Sequence, residues 1–183
     1  MTSGEVFGTA GGGLRNAPWA VNADVAAIGR RGEERTAAIL DTLAARDGGP
    51  TVLHDLMIPG YRANIDHVVV SGRNVTFVDS KVWKPGRYWR VRGTTRRGLA
   101  RFPSADKHTM RLALSKVTPR LAGLGAVLRP PLIVVWANGP TSFWFMQDRT
   151  LAAAAFAGRA RRLVGARPAD QRIVNALIPL LSS

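Results

Sequence analysis

The 183-residue chain contains no cysteine. That excludes disulfides, a cysteine-ligated metal and a cysteine nucleophile, and it is compatible with a reducing compartment. No apolar run approaches the roughly 18 residues that a membrane-spanning helix requires. The N-terminus also lacks the basic-then-apolar pattern of an export signal, so a cytoplasmic protein with no membrane partner is expected. There is no G-x-x-x-x-G-K-[ST] loop, no nucleophile elbow and no internal repeat. Acidic residues are scarce too, 12 Asp and Glu against 26 Lys and Arg, which leaves a net charge of +14. A hydrophobic content of 46% with 21% charged residues is that of a globular chain, long enough for one domain with a sizeable core.

The charge is unevenly spread. Residues 1–80 carry 7 Lys/Arg against 9 Asp/Glu, whereas residues 81–129 carry 13 against Asp106 alone. A basic half of this kind points to a polyanion, because Lys and Arg contacts to phosphates release condensed counterions. Lys84, Arg87, Arg90, Arg92, Arg96, Arg97 and Arg101 form the candidate track. Lys107 and Arg111, one turn apart on a later helix, are placed to touch backbone phosphate. Trp83 and Trp89 offer surfaces on which unpaired bases stack.

Residues 1–20 are Gly-rich and lack periodicity, so a flexible leader is expected there, followed by one domain over 21–183. "NADVAAIGRRGEERTAAILDTLAARDGG" predicts a helix that Asp24 caps and Gly48-Gly49 ends, with Ile28, Gly32, Ile39 and Leu43 on one face. "TVLHDLMIP" predicts a strand alternating through Val52, His54, Leu56 and Ile58. "KPGRYWRVRGTTRRG" predicts a turn, a short basic strand and a basic loop. Ser104 is expected to cap a helix that Pro119 kinks or divides. "PLIVVWANG" has the composition of a central strand covered on both faces, and "SFWFMQ" that of a short edge strand. Helices over 148–183 close the domain. The order is helix, three strands, helix, strand, which makes an α/β or α+β layered domain with a mixed sheet.

The stretch "NIDHVVVSGRNVTFVDSKVW" reads as two strands around a Gly72-Arg73-Asn74 turn. In a symmetric hairpin centred on Gly72-Arg73, residue n pairs with residue 145 − n, so Asp66 faces Asp79. Opposed like charges destabilise a sheet by about 0.2–1 kcal/mol, more when half buried. The repulsion becomes useful if the two carboxylates straddle a divalent cation such as Mg²⁺ or Mn²⁺, which takes one or two carboxylates and keeps several waters. Lys81 lies roughly 6.6 Å along the same face. From there it can orient an attacking water or stabilise charge developing on a phosphate. Glu33, one turn beyond Gly29 on the first helix and next to Gly32, is a third candidate carboxylate. Glu34 points away and pairs with nearby arginines. His67 and Ser80 alternate to the opposite face from Asp66 and Asp79.

At these residues the chain resembles a known family. "GRRGEE", "HDLMIPGYRANIDHVVVSG" and "VTFVDSKVWKPG" are similar in order and spacing to the nuclease-related domain, a branch of the PD-(D/E)xK superfamily. The resemblance runs from about Ile28 to Gly86. It implies a restriction-endonuclease-like core in αβββαβ order over residues 28–137, Mg²⁺ dependence and DNA processing. It also implies that Glu33, Asp66 and Asp79 ligate metal and act in catalysis with Lys81. Asp79 stands where Glu is more usual, and Lys107 near where a glutamine is common. The expectation is a Mg²⁺-dependent nuclease of low sequence specificity, acting on duplex or single-stranded DNA as a monomer or homodimer. Two alternatives stay open: a non-catalytic DNA-binding module on the same fold, and an RNA-binding or RNA-processing protein.

Overall fold

Valine, isoleucine and leucine dominate the segments from Thr51 to Trp83 and from Leu132 to Ala137, and these form the middle of a mixed sheet. The computed structural model describes residues 3–12, 23–105, 109–137, 143–145 and 150–182. The rest of the expected leader from residue 13, the Ser104 side chain and Lys107 lie outside them. The strands are β1 (Val6–Phe7), β2 (Thr51–Met57), β3 (Asn64–Ser71), β4 (Asn74–Trp83), β5 (Gly86–Val91), β6 (Thr94–Arg97), β7 (Ala100–Arg101), β8 (Val127–Leu128), β9 (Leu132–Ala137), β10 (Phe143–Phe145) and β11 (Thr150–Ala152). The helices are α1 (Ala23–Ala44), α2 (Thr109–Val117), α3 (Ala153–Val164) and α4 (Gln171–Leu177).

The main sheet runs β1-β2-β3-β4-β9-β11, with β8 also on β4. β2, β3 and β4 form the antiparallel meander, and β9 and β11 continue it in parallel. Helices cover both faces. α1 and α3 press Leu40, Leu43, Phe156 and Ala160 against Val52, Val69, Val78 and Val134. α2 and α4 press Ala113, Val117, Ile173 and Leu177 against Leu53, Val68, Val70 and Phe77. Each large side chain so buried contributes roughly 1.5–3 kcal/mol. This is the expected mixed α/β fold. β9 is the doubly covered strand its apolar run predicts, and α2 stops where Pro119 enters a 3-10 turn. Asp24, expected as a cap, instead lies within the first turn of α1, near the positive end of the helix dipole.

Three expectations change. Residues 3–12 are not a detached leader: Val6 and Phe7 pair in parallel with Val52 and Leu53. Their glycines serve close approach, since a Cβ on Gly4 would lie 1.9 Å from the Pro50 carbonyl oxygen and one on Gly8 2.2 Å from that of His54. The basic segment after Trp83 is not a strand and loop but a second sheet of order β10-β5-β6-β7. It is anchored by buried Tyr88, which packs with Trp83 and Phe102. The apolar side of the C-terminal helices, Ile173, Leu177 and Leu180, which could serve a homodimer, is buried in the chain's own core. Among the described residues no helix is long and apolar enough to cross a membrane.

Candidate active site

The hairpin register holds as expected, from Ser71 opposite Asn74 to His67 opposite Val78. Asp66 and Asp79 are the next step along it, on one face, and with Lys81 they line a cavity of about 220 Å³. Asn64, Trp83 and Thr109 complete much of its wall, so β3, β4 and the start of α2 all contribute. A larger cleft of about 500 Å³ beside Pro119 and Leu121 has no ionisable side chain in its lining.

Asp66 Oδ2 accepts a hydrogen bond from the Ser80 amide at 2.7 Å. Lys81 Nζ donates to Asp79 Oδ1 at 2.7 Å and to the Ser80 carbonyl at 3.3 Å. The Lys81 side chain is 36% exposed and that of Asp79 only 11%, so the ammonium reaches the cavity mouth while the carboxylate stays recessed. Burial raises Asp66 from its ordinary value near 3.8 to about 7, helped by repulsion from Asp79 and opposed by Lys81 and the Ser80 N–H. For Lys81, burial works to lower the pKa, but attraction to Asp79 and Asp66 outweighs it, and the side chain stays charged.

Glu33 comes from α1, which sits close to β4 because residue 32 is glycine. A Cβ there would lie 2.6 Å from Val82 Cγ2. Burial lifts the Glu33 carboxyl to about 9, with Asp66, Asp55 and Asp79 adding to it and Lys81 opposing. Glu33 therefore shares the field of the acidic pair, yet it is not among the residues lining their cavity. Glu34 pairs with Arg30 at 3.6 Å on the solvent side, as expected.

Asp55 escaped the sequence reading. It is buried, accepts a hydrogen bond from Asn64 Nδ2, and has a left-handed backbone with φ 56°. β2 and β3 pair so that His54 meets His67 and Leu56 meets Ile65, which puts Asp55 opposite Asp66. Extending the hairpin arithmetic to β2 would have revealed a line of Asp55, Asp66 and Asp79 across three strands. On the α1 side of the sheet lies a buried polar chain. Asp41 Oδ1 is 2.9 Å from His54 Nε2, His54 Nδ1 is 2.8 Å from His67 Nδ1, and His67 Nε2 is 3.0 Å from Ser80 Oγ. The carboxylate must accept from His54, so His67 donates to His54 and Ser80 donates to His67. Burial, then His54 and Lys81, holds the His67 pKa well below its usual value, consistent with a neutral ring. His67 and Ser80 thus face away from the carboxylates, as their alternation predicts.

The basic residues divide. Lys84, Arg87, Arg90, Arg92, Arg97, Arg101 and Arg111 are exposed and Arg96 half-buried. Trp83, expected to stack on bases, is instead 5% exposed in the cluster joining the two sheets. Trp89 remains partly accessible.

Two carboxylates opening on a recess of about 220 Å³, roomy enough for several waters, suit a hard cation that keeps most of its waters. Among the described residues no three His, Asp or Glu side chains are grouped closely enough to hold an ion among themselves. The donor set that fits is therefore the pair Asp66 and Asp79. Asp66 Oδ1 and Asp79 Oδ2 make no hydrogen bond among the described residues.

A layered mixed sheet with an acid pair and a lysine in one recess is compatible with a nuclease-like α/β core. The model of the nuclease-related domain family matches residues 28–130, more than half of the chain, and the chain belongs to that family. No curated protein and no solved structure matches it. Family membership carries a nuclease-related function at the coarse level.

Proposed function

We propose that the protein is a Mg²⁺- or Mn²⁺-dependent nuclease that hydrolyses DNA phosphodiester bonds with little sequence preference. The observation that carries this reading is the shared recess of Asp66, Asp79 and Lys81, with each carboxylate tied among the described residues through one oxygen. Asp66 and Asp79 would hold the ion, with Glu33 and Asp55 in the same electrostatic field. Bound there, Mg²⁺ supplies Lewis-acid stabilisation of phosphate charge and acidifies water. Lys81 presents its ammonium at the cavity mouth, where it orients a water for attack or offsets charge growing on the phosphate oxygens. The Ser80 amide fixes the rotamer of Asp66, and Lys81 fixes that of Asp79, so little reorganisation is needed when substrate arrives. Glu33 and Asp66 release protons once a cation balances their charge, so uptake by these groups strengthens as pH rises.

The test uses supercoiled plasmid with Mg²⁺ or Mn²⁺, and with chelator. Asp79→Asn and Lys81→Ala should abolish nicking while leaving DNA retardation largely intact. If both variants cut at the wild-type rate, the reading fails. A DNA-binding module on the same fold is favoured by one observation, the absence of three converging carboxylates among the described residues. Salt-sensitive retardation by the wild type with no nicking in either metal would decide for it.

A further inference from the structure

Eight Lys and Arg and no Asp or Glu occur between Lys81 and Ala105. Among the described residues none of the six arginines from Arg87 to Arg101 forms an ion pair with an acid. Arg90, Arg96 and Arg97 instead donate to the carbonyls of Gly93, Leu99 and Pro85. Among the described residues the charge of the second sheet is therefore uncompensated, and a polyanion is its complement.

Strand pairing sorts these side chains. Tyr88 pairs with Arg97 and Arg90 with Thr95, placing the two buried residues, Tyr88 and Thr95, on the inner face. Trp89 pairs with Arg96, and Arg96 with Arg101, so these three form a row across the other face at about 4.8 Å per step. The row is held in place. Trp89 Nε1 donates to the Gly98 carbonyl at 2.7 Å, and Arg96 Nη1 donates to the Leu99 carbonyl at 2.6 Å, on the same turn. The Arg96 guanidinium lies 5.8 Å from the Trp89 ring centroid. Leu99 at 88% and Val91 at 42% exposure add apolar surface beside a strongly charged one. Cations that track a backbone, interleaved with an aromatic and apolar surface, suit exposed bases better than paired ones.

The row also leads to the recess. β7 runs through the turn Pro103–Ala105 to Ala105, which lines the cavity of Asp66, Asp79 and Lys81. That cavity holds about 220 Å³, and its acid pair is recessed. A duplex presents its phosphodiesters on a stiff, broad cylinder. A lone strand can bend into such a recess while its bases turn outward.

We propose that the β5–β7 sheet is a platform for an unpaired DNA strand. Arg101 and Arg96 follow its phosphates, and a base stacks at Trp89 while the adjoining phosphodiester enters the cavity. The choice of DNA rests on the nuclease reading above. Fluorescence anisotropy in chelator, where nothing is cut, tests it with labelled oligonucleotides of about 20 nucleotides, ample for a strand-binding site. Single-stranded DNA should bind at least tenfold more tightly than the same sequence as duplex. Trp89→Ala should weaken single-strand binding about tenfold, while Trp89→Phe keeps most of it. Arg96→Gln with Arg101→Gln should reduce the log–log salt slope by about 1.4 for a single strand. If Trp89→Ala does not fold by circular dichroism, the salt slope of the arginine pair decides. Duplex bound as tightly as single strand, RNA bound more tightly than DNA, or an unchanged salt slope overturns the platform. Plasmid cutting with no strand preference in binding removes the platform alone. Strand preference without cutting in any metal removes the nuclease reading and leaves the platform standing.

Discussion

Asp66→Asn removes one negative charge and keeps an oxygen that accepts from the Ser80 amide. Burial and the neighbouring Asp79 lift the Asp66 carboxyl from about 3.8 to about 7. The folded protein therefore holds a proton over a range in which the unfolded chain has released it. Folded protein binds more protons than unfolded between about pH 4 and 7, so this group lowers stability as pH rises, with the full loss present above pH 7. The interval spans about three pH units, each worth about 1.4 kcal/mol, which sets a ceiling of about 4 kcal/mol. Asp66 opens on the cavity, and solvent screening there reduces the figure to about 2 kcal/mol. For a chain of this size that is about 4–8 °C in melting temperature. At pH 5 about a third of the effect is present, because only about one of the three pH units between the unfolded and folded values has been crossed.

The assay is thermal and urea unfolding of wild type and Asp66→Asn in chelator, at pH 5 and pH 8. The variant should be the more stable at both, by about 2 kcal/mol at pH 8 and under 1 kcal/mol at pH 5. Adding Mg²⁺ should stabilise the wild type at pH 8 and the variant much less. A variant no more stable than wild type at pH 8, or an equal gain at both pH values, would refute the assignment of Asp66 as a strained carboxylate.

Gly32→Ala would ordinarily strengthen a helix by about 1 kcal/mol. Here the new Cβ meets Val82 Cγ2 at 2.6 Å, so urea unfolding should show a loss of about 1–3 kcal/mol instead, relieved in part by adding Val82→Ala. A net gain from the single change would show that α1 is not pinned on β4. His67→Leu leaves His54 Nδ1 and Ser80 Oγ without their partner and should lose about 2–4 kcal/mol. Plasmid nicking by that variant, measured well below its melting temperature, should fall less than tenfold, because His67 faces away from the acid pair. A complete loss of nicking in folded protein would place the histidine chain in the chemistry.

The parts of the fold that could be read from the sequence are those where one pattern acts alone. The Gly72-Arg73-Asn74 turn and its flanking β-branched runs fix a two-strand register, and the carboxylate pair follows from counting. β9 is legible for the same reason, since a short apolar run fits a strand covered on both sides. Asp55 was hidden because only the β2–β3 register places it opposite Asp66, and alternation along β2 alone, broken by its positive φ, does not. The second sheet was hidden because arginine fills most of its outward positions, and such a run looks like a solvated loop until Tyr88 and Thr95 are seen to be buried. Val6 and Phe7 were hidden by shortness, as a two-residue strand has no period. The glycines around them suggested mobility, but they are there because the backbone lies against β2.

What joins the two halves of the molecule is a problem of charge. A chain with only 12 acids places Glu33, Asp55, Asp66 and Asp79 within one another's field, and faces that field with a sheet whose arginines pair with no acid among the described residues. On the proposed reading the arginines would draw a phosphate chain to the rim, but they stay outside the recess, where screening over a Debye length of about 8 Å weakens them. Inside, Lys81 alone among the described cavity-lining side chains carries positive charge, and it already bonds Asp79. A phosphate brought within about 4 Å of Asp66 would be repelled by about 4 kcal/mol even at a surface-like dielectric. One ammonium cannot offset two carboxylates and an incoming phosphodiester together. Counted over the described residues, the recess is one or two positive charges short of accepting a phosphodiester. On the proposed reading, a small dication at Asp66 and Asp79 would make up that deficit, and it would ease the repulsion that, after burial, raises the pKa values of Asp66 and Glu33.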